Sequence, residues 1–174
     1  MVLKSSKLLK NSRPMAVPCS SKHASKLNVW GGISYRGPTE FGIFKTNMDS
    51  FLYRDILSEF LIPFGAHKYL MNFILHQDND PKHASKLCTS FLEINNIRWV
   101  KSPPNSPDLN PIEMVWNEMK NFIRSNNPKS EDEVRGLIKR FQKALTQEKC
   151  QNYINNLKTV IKKVIENDGG WSDC

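Results

Sequence analysis

No aspartate or glutamate occurs before Glu40, in a chain of 174 residues that carries 17 acids against 25 lysines and arginines. The opening stretch, residues 1–26, holds Lys4, Lys7, Lys10, Arg13, Lys22 and Lys26 among serines and prolines. Like charges with little apolar mass between them do not collapse, so residues 1–26 are predicted to be a basic, disordered leader. A run of 18 or more apolar residues is also missing, which excludes a membrane-spanning helix. The first residues offer apolar side chains only in pairs, too few for the core of a signal peptide. A nuclear or cytoplasmic setting is the expectation, with the nucleus adopted here, and no membrane partner is expected. The cysteines are few and scattered, at Cys19, Cys88, Cys150 and Cys174, with no C-x-x-C pair. That spacing excludes a zinc knuckle and a disulfide frame, and reduced thiols are expected. P-loop, dinucleotide and Gly-x-Ser-x-Gly patterns are all lacking, so the chemistries they carry have no support.

What is present suits one globular α/β domain, here placed at residues 27–170. Hydrophobic residues make up 39% of the chain, enough for a core, and the net charge of +8 favours polyanionic partners such as nucleic acid. Strand formers around Gly31-Gly32 predict a strand from Leu27 to Tyr35, a turn at Arg36-Gly37-Pro38, and a return strand from Glu40 to Lys45. Leu52, Ile56, Leu57 and Phe60 are spaced for a helix that Pro63 should stop. Tyr69 to Leu75 reads as a buried strand, His83 to Ile94 as a helix with Leu87, Phe91 and Ile94 on its apolar side, and Ile97 to Val100 as a further strand. From Ile112 the pattern is helical. Ile112, Val115, Trp116, Met119, Phe122 and Ile123 form a stripe, and two more helices are expected near 130–146 and 148–166.

Two carboxylates stand where chemistry could sit. Asp78 follows the predicted strand at 69–75, and a strand's carboxyl end suits an oxygen ligand for Mg²⁺ or Mn²⁺. Turn formation or capping of the next helix, by Asp78 or Asp80, accounts for the same residues without chemistry. Glu113 lies in Asn110-Pro111-Ile112-Glu113, where Asn110 reads as an N-cap and Glu113 as the acid of a capping box. Lys82, His83 and Lys86, near a helix start, are candidates to meet phosphate, although a solvated helix face explains them equally. Trp30, Trp99 and Trp116 fall within apolar patterns and are read as core.

Taken together, three segments resemble the Tc/mariner superfamily of DDE transposases. The first is Lys22-His23 with Val29-Trp30-Gly31-Gly32-Ile33-Ser34. The second is Gln77-Asp78-Asn79-Asp80-Pro81-Lys82-His83. The third runs from Ser106 to Glu113 and continues through Trp116 and Lys120. Asp78 and Glu113 are separated by 34 residues (79 to 112), the interval of the family's DD34E signature. The resemblance covers roughly residues 22 to 170 and implies a ribonuclease-H-like fold, a mixed sheet flanked by helices. It also implies an Asp-Asp-Glu triad that holds Mg²⁺ or Mn²⁺ for attack on DNA phosphodiester bonds. Asp78 would be the second acid and Glu113 the third, while Asp108 is read as a turn residue.

The family's first aspartate lies on the opening strand, upstream of Lys22-His23, where this chain has no acid. The expectation is therefore a domain lacking its first strand, with Asp78 and Glu113 as catalytic and metal-binding remnants that hold one ion weakly. Whether it is an enzyme stays open at this point. DNA is the expected partner, bound non-specifically through charge, and a homodimer is compatible with the sequence. Alternatives are a non-catalytic nucleic-acid-binding remnant, a protein-interaction remnant using the helical tail from 130 to 166, and an incomplete reading of a longer gene.

Overall fold

The computed structural model describes residues 2–9, 27–102 and 110–166. At its centre is β2 (Leu27–Ser34), buried along all eight residues. The opening strand is present. Val2–Leu9 forms β1, antiparallel to β2 from Val2 opposite Ile33 to Leu9 opposite Leu27. This corrects the expectation of a missing strand; residues 10–26 of the predicted leader lie outside the described residues. The pairing is non-local, which explains why residues without alternating polarity still form a strand: β2 supplies the ladder partners. On its other side β2 pairs with two short strands, β3 (Gly37–Pro38) and β4 (Gly42–Phe44). Gly37 opens β3, just after the Tyr35-Arg36 turn, at a φ of 105°, a conformation that favours glycine.

Asp49 opens the next helix by accepting from the Leu52 amide at 2.8 Å. The helix does not stop at Pro63. It runs from α1 (Ser50–Ile56) through a π-helical segment, Leu57–Leu61, into α2 (Ile62–Tyr69). Ile62 bonds back to the Leu57 carbonyl, five residues away, so Pro63 arrives where the register changes and its missing N–H breaks nothing. The continuation consumes residues expected in a strand at 69–75. Leu70 and Met71 take left-handed conformations to reverse the chain, and β5 begins only at Ile74, ending at Gln77. After α3 (Lys86–Ile94), β6 (Arg98–Lys101) returns parallel to β5. The two sheets meet where β5 lies alongside β1.

Three helices complete the chain: α4 (Ile112–Ser125), α5 (Glu131–Ala144) and α6 (Gln147–Glu166). The central strand divides the core. Val29 and Ile33 face a cluster with Ile112, Trp116, Met119, Ile138 and Phe141, while Trp30 enters a second one with Tyr53, Leu57, Leu61, Leu75 and Leu92. This is the period-two alternation of a strand with helices on both of its faces. Trp30 and Trp116 are core residues as expected, and Trp99 is partly buried against the second cluster. The apolar residues of α5, namely Leu137, Ile138 and Phe141, with Leu145 just beyond, are spent on the domain itself rather than presented to a partner.

Candidate functional site

Asp78 is the first residue beyond β5, and its surroundings fix it in place. Gln77 is buried, and its side-chain oxygen accepts from the Tyr53 hydroxyl at 2.8 Å, while its carbonyl accepts from the Ser102 amide at 2.8 Å. The Asp78 carboxylate, with 26% of its side chain exposed, takes the Asp80 amide at 3.2 Å and lies 2.5 Å from Nδ1 of His83 on the same oxygen. His83 is fully buried, its ring 4.0 Å from that of Tyr53. A proton on Nδ1 donates to Asp78 and leaves Nε2, which has no partner, as an unpaired acceptor. Burial above all, then the Cys88 thiol and the Asp78 and Asp80 carboxylates, pushes the Tyr53 hydroxyl well above its ordinary pKa. It therefore remains a donor to Gln77.

The loop after Asp78 is braced in steps of two residues. Asp78 accepts from the amide of Asp80, and Asp80 accepts from that of Lys82 and pairs with the Lys82 ammonium. Neither aspartate caps α3. Ser85 does, accepting from the Cys88 amide at 3.3 Å, so the helix starts at Lys86 rather than His83. These placements sort the three residues expected to meet phosphate. Lys86 is exposed at the start of α3, Lys82 is engaged by Asp80, and His83 is enclosed between Tyr53 and Asp78 and cannot reach phosphate at the surface. Tyr53 and Gln77 were not singled out by the sequence reading. Tyr53 was legible at least as core, since Tyr53, Ile56, Leu57 and Phe60 repeat at i, i+3, i+4 and i+7.

Glu113 stands on the first turn of α4, half-buried, with its amide bonded to the Asn110 carbonyl at 3.0 Å. The capping box expected around it does not form. The cap position is Pro111, and the Asn110 side chain is buried with neither polar atom hydrogen-bonded. Pro111, with its fixed φ near −61°, starts the helix geometrically, which moves Asn110 one position out of capping reach. Asp108 and the preceding part of that motif lie outside the described residues.

Asp78 directly follows β5 and Glu113 lies on α4, two elements that each contact β1. The register of β1 shifts by one residue between Lys4, opposite Gly31, and Lys7, opposite Val29, so Ser5 and Ser6 share a β-bulge across from Trp30. Bulges of this kind re-aim a strand locally. The strand carries Lys4, Ser5, Ser6 and Lys7 and no acid. Among the described residues, no group of three or more His, Cys, Asp or Glu is arranged to hold a metal ion. Two hard divalent cations need a larger set of oxygen ligands than Asp78 and Glu113 alone, so the described residues do not fit a two-ion centre.

Residues 9–135 match a family described as DDE superfamily endonuclease. In sequence, the chain is 34% identical over 96 residues to the Tcb2 transposase of Caenorhabditis briggsae, covering 55% of this chain and 35% of that one. It is 26% identical over 141 residues to the Tc1 transposase of Caenorhabditis elegans, covering 81% and 52%. The chain thus spans about half or less of the length of these relatives. In structure, it resembles the catalytic domain of the Mos1 mariner transposase with a TM-score of 0.82, at 18% identity, over 99% of this chain and 84% of that one. The match establishes the ribonuclease-H-like fold.

Proposed function

The chain belongs to the DDE superfamily endonuclease family, and from that premise we propose a transposase-derived domain that binds DNA through charge and does not complete phosphodiester cleavage. The observation carrying this reading is the acid-free β1, with lysines on both sides of its Ser5-Ser6 bulge and acid-bearing elements packed against it. Cleavage with paired divalent ions distributes charge over the attacking and leaving oxygens, and requires carboxylates enough to hold both ions. In this proposal Asp78 and Glu113 are the remaining catalytic and metal-binding positions, and they hold one Mg²⁺ or Mn²⁺ weakly. Solved Mos1 structures described as containing Mn or Mg, and as a pre-cleavage transpososome, support divalent metal and DNA as the chemistry to test.

DNA binding in this reading is non-specific and falls steeply with salt, because it comes from releasing counterions rather than from reading bases. The net charge of +8 supports it, with Lys86 the exposed cation beside the Asp78 loop. The nucleus, where such a domain meets DNA, belongs to the same proposal. The test is incubation of the purified chain with Mg²⁺ or Mn²⁺ and DNA carrying the terminal repeats of its element. Retention of DNA without nicking or strand joining is expected. Nicking that disappears in Asp78→Ala would overturn the proposal.

A further inference from the structure

The side of α3 that the sequence marks as apolar packs only in part, Phe91 lying against the second core cluster. Cys88 and Leu92 face the core, whereas Leu87 and Phe91 are half-buried and Ile94 is 80% exposed. At 100° per residue, Leu87, Ser90, Phe91 and Ile94 share one face of the helix, turned away from Cys88 and Leu92. With Arg54 and Lys86 they line a groove of about 440 Å³ beside α1, near Phe51, which is 61% exposed. Exposed Ile94, with the open sides of half-buried Leu87 and Phe91, leaves an apolar stripe that a partner can cover.

The charges along the stripe indicate which cover. Lys86 and Glu93 lie on the same edge of it, two turns and about 10 Å apart along the axis. Both are exposed, and neither makes an ion pair among the described residues. A two-fold axis perpendicular to α3 in the plane of contact keeps each edge on its own side and reverses the helix direction. Lys86 of one copy then meets Glu93 of the other, and the same pair forms again across the axis. The stripe is thus complementary to itself in apolar surface and in charge, as an isologous interface must be.

We infer that α3 docks antiparallel on α3 of a second copy of this chain, burying Leu87, Phe91 and Ile94 between two Lys86–Glu93 ion pairs. A contact of one helix per copy is small beside stable interfaces, which bury roughly 1,200 Å² or more, so a weak and concentration-dependent dimer is expected. It does not rest on the DNA reading, and it is measured without DNA, so either can fail alone.

Sedimentation velocity over micromolar to submillimolar concentrations tests it. The wild-type chain is expected to shift from monomer towards dimer, and Ile94→Glu, at a position too exposed to disturb the fold, to stay monomeric with an unchanged circular dichroism spectrum. Lys86→Glu and Glu93→Lys should each weaken the dimer by roughly tenfold, the scale of two surface ion pairs turned repulsive. The double variant, with both charges exchanged, should regain the wild-type affinity. A wild-type chain that remains monomeric throughout, a dimer indifferent to Ile94→Glu, or a double variant no better than the single ones would overturn the inference.

Discussion

Asp78 shows how one side chain can be tied into a fold just beyond the end of a strand. A buried imidazole, a backbone amide and a Tyr53–Gln77 hydrogen bond next door hold the carboxylate at the end of β5. Orientation is thereby set by the second core cluster, which contains Tyr53, and not by solvent. Gly31 plays the corresponding part on the other face of β2. A Cβ there would lie 2.5 Å from Cδ1 of Phe41 and 3.1 Å from Cη2 of Trp116. Phe41 is itself buried and has little room to turn. Gly31→Ala is therefore expected to lower stability by about 1–3 kcal/mol through overpacking, read as a drop in the urea midpoint. An unchanged midpoint would mean that the sheet and α4 are less closely packed than this. The local sequence marked Gly31-Gly32 as unusual, but the reason for Gly31 lies in the Phe41 ring, with Trp116 of α4 beside it.

Among the elements, α5 was the most legible from sequence, because capping, charge and periodicity agree there. Ser130 caps it, accepting from the Glu133 amide, and Glu131, Asp132 and Glu133 occupy its first turn. Lys45 and Arg135 hydrogen-bond Glu131 and hold its carboxyl below the ordinary value of 4.5. A carboxyl depressed in the folded state contributes stability that is complete above its unfolded pKa and is lost as pH falls through the folded one. Urea midpoints should therefore drop less between neutral and acidic pH in Glu131→Gln than in the wild type; equal drops would remove Glu131 from the account. Gly136 lies inside the same helix, and a Cβ there meets nothing within 4 Å. Gly136→Ala should stabilise the protein by about 0.5–1 kcal/mol through the unfolded chain's lost freedom, and a lower melting temperature would contradict this. Elsewhere, periodicity identified elements better than their ends. The stop at Pro63 was misread because a π-helical register is invisible in local sequence, and that error carried into the start of β5. On α3 the apolar stripe was real, but periodicity alone could not show that Cys88 and Leu92 face inwards.

At the level of the whole molecule, the α/β architecture was readable, and Asp78 and Glu113 could be proposed as a pair, because each motif lies within a short stretch of chain. The presence of β1 was not, since its partners in β2 stand some two dozen residues away and its own sequence has no strand period. That strand sharpens the functional question. β1 carries lysines and serines and no acid, so in the proposed reading the deficit lies in chemistry rather than architecture. The most direct measurement is a titration of the purified chain with Mn²⁺ followed by electron paramagnetic resonance. The account predicts at most one weakly bound ion per chain, abolished in Asp78→Ala. Two ions bound per chain would contradict it.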